Sequence, residues 1–167
     1  MKYRFLNTVF ILFIGIQIAM AEEISFSTTV YIKANKSKVW EALTDPKIVS
    51  KYFMCPMISI GNKNGDPIEY GVGKNVLIAG KIVKFIPNET LSYTFVFDPA
   101  SHKGTENDGP SLVTIDIEDD KGLTIFNLTH NGFKEKDQTY SNVTGGWPWI
   151  ISNLKTYLES GKTLNEK

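Results

Sequence analysis

Three stretches of strict two-residue alternation lie close together in the second half of the chain. In residues 90–97, Leu91, Tyr93, Phe95 and Phe97 share one side and Thr90, Ser92 and Thr94 the other. In residues 112–118, Val113, Ile115 and Ile117 oppose Thr114, Asp116 and Glu118. In residues 123–130, Phe126, Leu128 and His130 oppose Asn127 and Thr129. Alternation of this period is a strand with one dry and one wet face. Short turn signals between such strands, Asp120-Lys121-Gly122 above all, make them consecutive antiparallel neighbours. A sheet of this kind must bury its dry face under another layer.

The C-terminal segment supplies that layer. Val143, Trp147, Ile150, Ile151, Leu154, Tyr157 and Leu158 recur at helical spacing, and Gly161 stands where a helix would stop. Pro148 lies within this pattern and removes one backbone donor. The helix therefore either kinks there or begins its regular part at Trp147, with Pro148 in the first turn.

The N-terminal half completes the fold. Residues 24–33 are rich in β-branched and aromatic types and read as a strand. Asn35 caps a helix from Lys36 that carries Val39, Trp40 and Leu43, and Asp45-Pro46 opens a second with Ile48, Val49, Tyr52 and Phe53 on its apolar side. Gly61, Asn64-Gly65, Gly71 and Gly73 read as turns, residues 76–79 and 80–86 as strand, and residues 98–111 as a polar loop. The expectation is one α+β domain: an antiparallel sheet wrapped around a long C-terminal helix, with two short helices after the first strand.

Ahead of this domain, residues 1–21 have the three parts of a cleavable secretory signal. Lys2 and Arg4 precede an apolar run over residues 5–18, Ala19-Met20-Ala21 has small residues at both peptidase-read positions, and Glu22 and Glu23 follow. The run is shorter than the ~20 residues that cross a bilayer, so no membrane span is expected once the signal is removed. Residues 22–167 are expected to work outside the cytoplasm, in the periplasm or as a secreted protein. The full chain carries 18 Lys and Arg against 18 Asp and Glu. Loss of Lys2 and Arg4 tips it slightly acidic, which leaves no electrostatic footprint for nucleic acid. The single cysteine, Cys55, cannot form an intrachain disulfide, and its neighbours Met54, Pro56 and Met57 favour burial.

Several local words resemble those of the SRPBCC superfamily (START-like, birch-pollen-allergen-like), which has the helix-grip fold. They are Val39-Trp40-Glu41-Ala42-Leu43-Thr44-Asp45-Pro46 in the first helix and Leu128-Thr129-His130-Asn131-Gly132-Phe133 in the last strand. Gly146-Trp147 followed by Leu154-Lys155-Thr156-Tyr157-Leu158-Glu159-Ser160-Gly161 resembles the C-terminal helix of the branch named after the activator of heat-shock protein 90 ATPase. The likeness covers roughly residues 24–161. It implies a cavity between sheet and C-terminal helix of the kind that holds lipids, sterols and other apolar molecules. Heat-shock protein 90 is intracellular, so an exported chain would not carry the co-chaperone role of the branch's name.

The inward faces offer a lining for such a cavity: Phe53, Tyr93, Phe95, Phe97, Val113, Ile115, Phe126, Leu128, His130, Trp147 and Ile151. The same residues could equally pack on one another as a filled core. His130 faces inward, where it either meets a ligand's polar head or acts as an acid or base, or else hydrogen-bonds the Asn131-Gly132 turn. His102, in the polar loop, is expected in solvent. Two histidines and one cysteine so spaced make no metal site, and no nucleophile elbow, zinc-protease, P-loop or dinucleotide motif occurs. No catalytic residue, cofactor or metal is therefore assigned. The leading expectation is a non-catalytic binder of an apolar small molecule or lipid. Behind it stand a cyclase- or hydrolase-like enzyme using His130 or a pocket tyrosine such as Tyr93 or Tyr140, and a protein-interaction module with a filled core. Nothing in the sequence sets the oligomeric state.

Overall fold

The computed structural model describes residues 23–166, so the proposed signal at residues 1–21 lies outside the described residues. The chain runs β1 (Phe26–Ile32), α1 (Lys36–Thr44), α2 (Pro46–Tyr52), β2 (Met57–Ile60), β3 (Pro67–Val72), β4 (Asn75–Ile86), β5 (Thr90–Phe97), β6 (Ser111–Asp120), β7 (Leu123–Asn131) and α3 (Gln138–Ser160). The seven strands form one antiparallel sheet in the order β1-β7-β6-β5-β4-β3-β2. Only the β1–β7 pairing joins strands distant in sequence, and it sets Ile32 opposite Thr124 and Phe26 opposite His130. The α+β architecture expected from the alternation is the one observed.

Local chemistry explains the element boundaries. The Asn35 side chain accepts from the Lys38 amide, and Asp45 accepts from the Lys47 amide with Pro46 directly behind it. Asp45 serves twice, because its own amide also closes α1 on the Glu41 carbonyl. Replacing Asp45 with alanine should cost about 1 kcal/mol in urea unfolding, the ordinary value of a lost N-cap. Asp137 caps α3 through the Tyr140 amide, and Gly161 ends it in the left-handed conformation at φ 75°. The β6–β7 turn has Lys121 and Gly122 both at positive φ, which suits a two-residue hairpin.

Two expectations need correction. Gly71 is no turn but lies inside β3, at the point where its register to β4 shifts. A Cβ there would sit 2.0 Å from the Asn75 carbonyl oxygen, so the close chain approach, not a turn, demands glycine. And α3 is a single helix from Gln138, ten positions ahead of Pro148, so its regular part does not start at Trp147. Pro148 is exposed, where water can serve the Thr144 carbonyl that loses its helical donor.

The inner faces of the sheet hold the core. Tyr93, Phe95, Val113, Ile115, Ile117, Phe126 and Leu128 are buried, under Val143, Trp147, Ile150, Ile151 and Leu154 of α3. At ~1.5–3 kcal/mol per buried apolar side chain, those five residues alone anchor the helix by on the order of 10 kcal/mol. The opposite side of β5 and β6 is a polar ladder: Thr90 donates to Asp116 at 2.7 Å, and Ser92 meets Thr114 at 2.9 Å. At its far end α3 reaches the free edge of the sheet. Lys155 Nζ donates to the Tyr31 carbonyl, Glu159 accepts from the Lys33 amide, and the two side chains pair with each other.

The β2–β5 half differs from the β6–β7 half. Register shifts occur between Met57 and Ser59, at Tyr70–Gly71, and between Ile82 and Lys84. Bulges bend strands and sharpen twist. Opposite this half, α3 presents Gly146, which fills little space. The core is therefore dense toward β1, β7 and β6, and leaves room near the start of β4 and the end of β5.

Candidate functional site

That room is a cavity of about 390 Å³. Phe53, Met54 and Cys55 wall it from the α2–β2 connection, Leu77 and Ile78 from β4, and Phe95 and Phe97 from β5. His102 closes it from the loop after β5, and Asn142, Val143, Gly146, Trp147 and Ile150 from α3. The lining is overwhelmingly apolar, with His102 and Asn142 as its strongly polar members.

Four of the residues expected to line a cavity do so: Phe53, Phe95, Phe97 and Trp147. Tyr93, Ile115, Phe126 and Ile151 instead surround a hollow of about 20 Å³ deeper in the core, together with Tyr52 and Tyr70. Val113, Leu128 and His130 line neither space and are core. Burial raises the hydroxyls of Tyr52, Tyr70 and Tyr93 above the ordinary tyrosine range, Tyr93 to about 12. These phenols stay protonated at neutral pH and are not accessible from the cavity. Tyr140 lies in the first turn of α3, edge-on to Phe133 and outside the cavity wall.

His130 is fully buried. Trp147 Nε1 donates to its Nδ1 at 2.9 Å, and its Nε2 lies 2.7 Å from Ser111 Oγ. An indole nitrogen can only donate, so Nδ1 is the bare nitrogen and the ring hydrogen is on Nε2. The hydrogen bonds then run in one direction: Trp147 to His130, His130 to Ser111, and Ser111 to the Phe95 carbonyl at 3.2 Å. Desolvation lowers the His130 pKa to about 3, which keeps the ring neutral. The expected bond to the Asn131-Gly132 turn is absent. Gly132, at φ 80°, instead turns the chain so that Phe133 packs on the imidazole, with ring centroids 4.8 Å apart. The last-strand word and the Gly-Trp word of the sequence are thus two halves of one hydrogen-bonded pair.

His102 corrects another expectation, because it is not in solvent. Its ring lies 4.1 Å from that of Phe97 and forms part of the cavity wall. Asp98 positions the loop, since its carbonyl accepts from the amides of Ser101 and His102, and Thr105 bonds back to the His102 carbonyl. Asp108 then ties the loop to α3 by accepting from the Thr139 amide at 2.8 Å. Cys55 is only half-buried, against the burial expected of it, and of the neighbouring methionines Met54 is 66% exposed while Met57 is buried. Burial still raises the Cys55 thiol above its ordinary range. Among the described residues, no group of three or more His, Cys, Asp or Glu could hold a metal ion.

A seven-stranded antiparallel sheet closed by a long C-terminal helix is the helix-grip architecture of the SRPBCC superfamily. Residues 33–159 match the family described as Activator of Hsp90 ATPase homolog 1-like protein, and the chain belongs to that family. Solved structures share the fold. The Aha1 dimer from Colwellia psychrerythraea is 21% identical over 83% of this chain and 98% of that one, with a TM-score of 0.67. An HSP90 activator from Plasmodium falciparum is 18% identical over 80% and 95%, with a TM-score of 0.65. CalU16 from Micromonospora echinospora is 19% identical over 82% and 77%, also at 0.65. No curated protein matches the chain by sequence.

Proposed function

We propose that this chain is an exported helix-grip domain that holds a small apolar molecule, without catalysis, in the cavity between β4–β5 and α3. The cavity carries the reading. Its volume of about 390 Å³ falls within the ~300–1,000 Å³ usual for small-molecule sites, and its walls are apolar with a few polar groups. Export is supported by the basic, apolar and Ala-x-Ala parts of residues 1–21. Among the described residues no helix is long and apolar enough to cross a membrane. The histidine that an enzyme reading would use has both ring nitrogens engaged and does not face the cavity.

Titration of N-phenyl-1-naphthylamine, a neutral fluorescent reporter, tests the site. The wild-type domain is expected to bind it saturably. Gly146→Leu is expected to weaken binding at least tenfold, because the new side chain enters the cavity. A Cβ at Gly146 meets only the flexible Met54 thioether, at 3.4 Å. Leucine also favours helix over glycine by up to ~1 kcal/mol, so the melting temperature should hold or rise. Undiminished binding to a well-folded Gly146→Leu would place the ligand elsewhere. Native mass spectrometry of protein from its host should show a co-purifying apolar molecule.

A further inference from the structure

The cavity has two strongly polar side chains, Asn142 and His102, and neither offers it a free acceptor. Asn142 lines the cavity, and its Oδ1 accepts from Gln138 Nε2 at 2.8 Å, which leaves its amide hydrogens as the unengaged polar group among the described residues. Gln138 lies beside the His102 loop, since a Cβ at Gly104 would be 3.1 Å from its Cγ. The His102 loop and the Asn142 turn of α3 are therefore one packed unit, further secured by Asp108 on the Thr139 amide.

His102 completes the pattern. Its Nδ1 is sealed from solvent with no hydrogen-bond partner. A buried N–H without an acceptor is rarer in proteins than an under-satisfied acceptor. The neutral ring therefore keeps its hydrogen on Nε2, the nitrogen left open. Both polar groups of the cavity then present N–H donors, and no carboxylate lines it.

We propose that these two side chains read an oxygen acceptor. The ligand would be an apolar carbon skeleton with a carboxylate or ketone at one end, seated between His102 Nε2–H and the Asn142 amide. The inference rests on the cavity being a ligand site and adds the chemistry of the ligand's head. A carboxylate and a ketone offer the same acceptor oxygen to these donors. An ammonium head offers only donors, and would leave His102 and Asn142 unpaired in a desolvated site.

The test is a matched series of ten-carbon probes, decanoic acid, 2-decanone, decane and decylamine, each displacing N-phenyl-1-naphthylamine from the full domain at pH 7.5. The acid and the ketone are expected to bind at least tenfold tighter than decane and decylamine. A ratio of ten corresponds to about 1.4 kcal/mol. His102→Phe keeps the stacking on Phe97 and should reduce that preference while the reporter still binds. Asn142→Asp, on a half-buried helix position, should turn the series toward decylamine, and its melting curve verifies the fold. If all four probes bind within twofold of one another, the acceptor-reading proposal is overturned and the apolar cavity stands. The proposal is equally overturned if His102→Phe and Asn142→Asp fold and keep the wild-type order. If the reporter itself never binds, the cavity reading fails first and takes this one with it.

Discussion

Acidification from pH 6.5 toward pH 3 should strip on the order of 4 kcal/mol from the unfolding free energy through His130 alone. The imidazole titrates near 6.5 when unfolded and at about 3 in the fold, because burial penalises its charged form. Between those values the unfolded chain binds the proton and the folded one does not, so stability rises with pH across the window and levels off above it. The carboxylates also titrate at the lower end, so the measurement is the difference between wild type and His130→Gln, which cannot take up this proton. Urea unfolding of the two should diverge by about 1.4 kcal/mol for each pH unit below 6.5. Parallel curves would mean that His130 is solvated. At pH 7, His130→Ala should cost about 3–5 kcal/mol. It opens a hole in the core, orphans the Trp147 indole N–H and takes from Ser111 Oγ the donor it accepts from. Trp147→Phe with His130→Leu removes both partners and should recover part of that loss, provided Ser111 is served by the Phe95 carbonyl.

Gly80→Ala should be as damaging, for a reason that leaves side-chain packing aside. A Cβ at Gly80 would lie 1.8 Å from the Thr94 carbonyl oxygen and 2.9 Å from its carbon. These are backbone atoms of the neighbouring strand and cannot swing away, as a methionine tip can. The pairing of β4 with β5 must open locally, at a cost of about 3 kcal/mol or more. Chemical denaturation would register it as a lower midpoint. Because Ile78 and Phe95 of the same strand pair wall the cavity, the reporter should bind more weakly too. A stable Gly80→Ala with unchanged binding would show that β4 and β5 are farther apart here than described.

Much of the architecture was legible because its physics is local. A two-residue period fixes which side chains of β5, β6 and β7 face inward, and all of Tyr93, Phe95, Val113, Ile115, Phe126, Leu128 and His130 do. Asn35 and Asp45 announce their helices because a capping oxygen acts two or three residues away. The site was legible only in part. Alternation shows that a residue faces inward, but not whether atoms or empty space await it. His130 and Val113 meet atoms, while Phe95 and Phe97 meet space. The far wall of Leu77, Ile78 and Gly146 could not be read, because bulges break the period of β4 and a glycine's role depends on what stands opposite. His102 was misplaced because its loop is positioned by Asp108 on the first turn of α3, a contact spanning 31 residues. One signal could have joined His130 to Trp147: a buried indole needs an acceptor, and His130 was the titratable inward group on the strand face that the C-terminal helix covers.

The tip of α3 carries a consequence beyond its own anchoring. An open meander ends in an unpaired strand, and an unpaired strand is a template on which further copies can polymerise. In β1 and the residue that follows it, two of the main-chain groups that would recruit another strand are already occupied, the Tyr31 carbonyl by Lys155 and the Lys33 amide by Glu159. The opposite border, β2, is only four residues long and bulged. The last two turns of the helix thus act as a terminator for the sheet, and trimming them would convert a closed fold into one able to grow by addition.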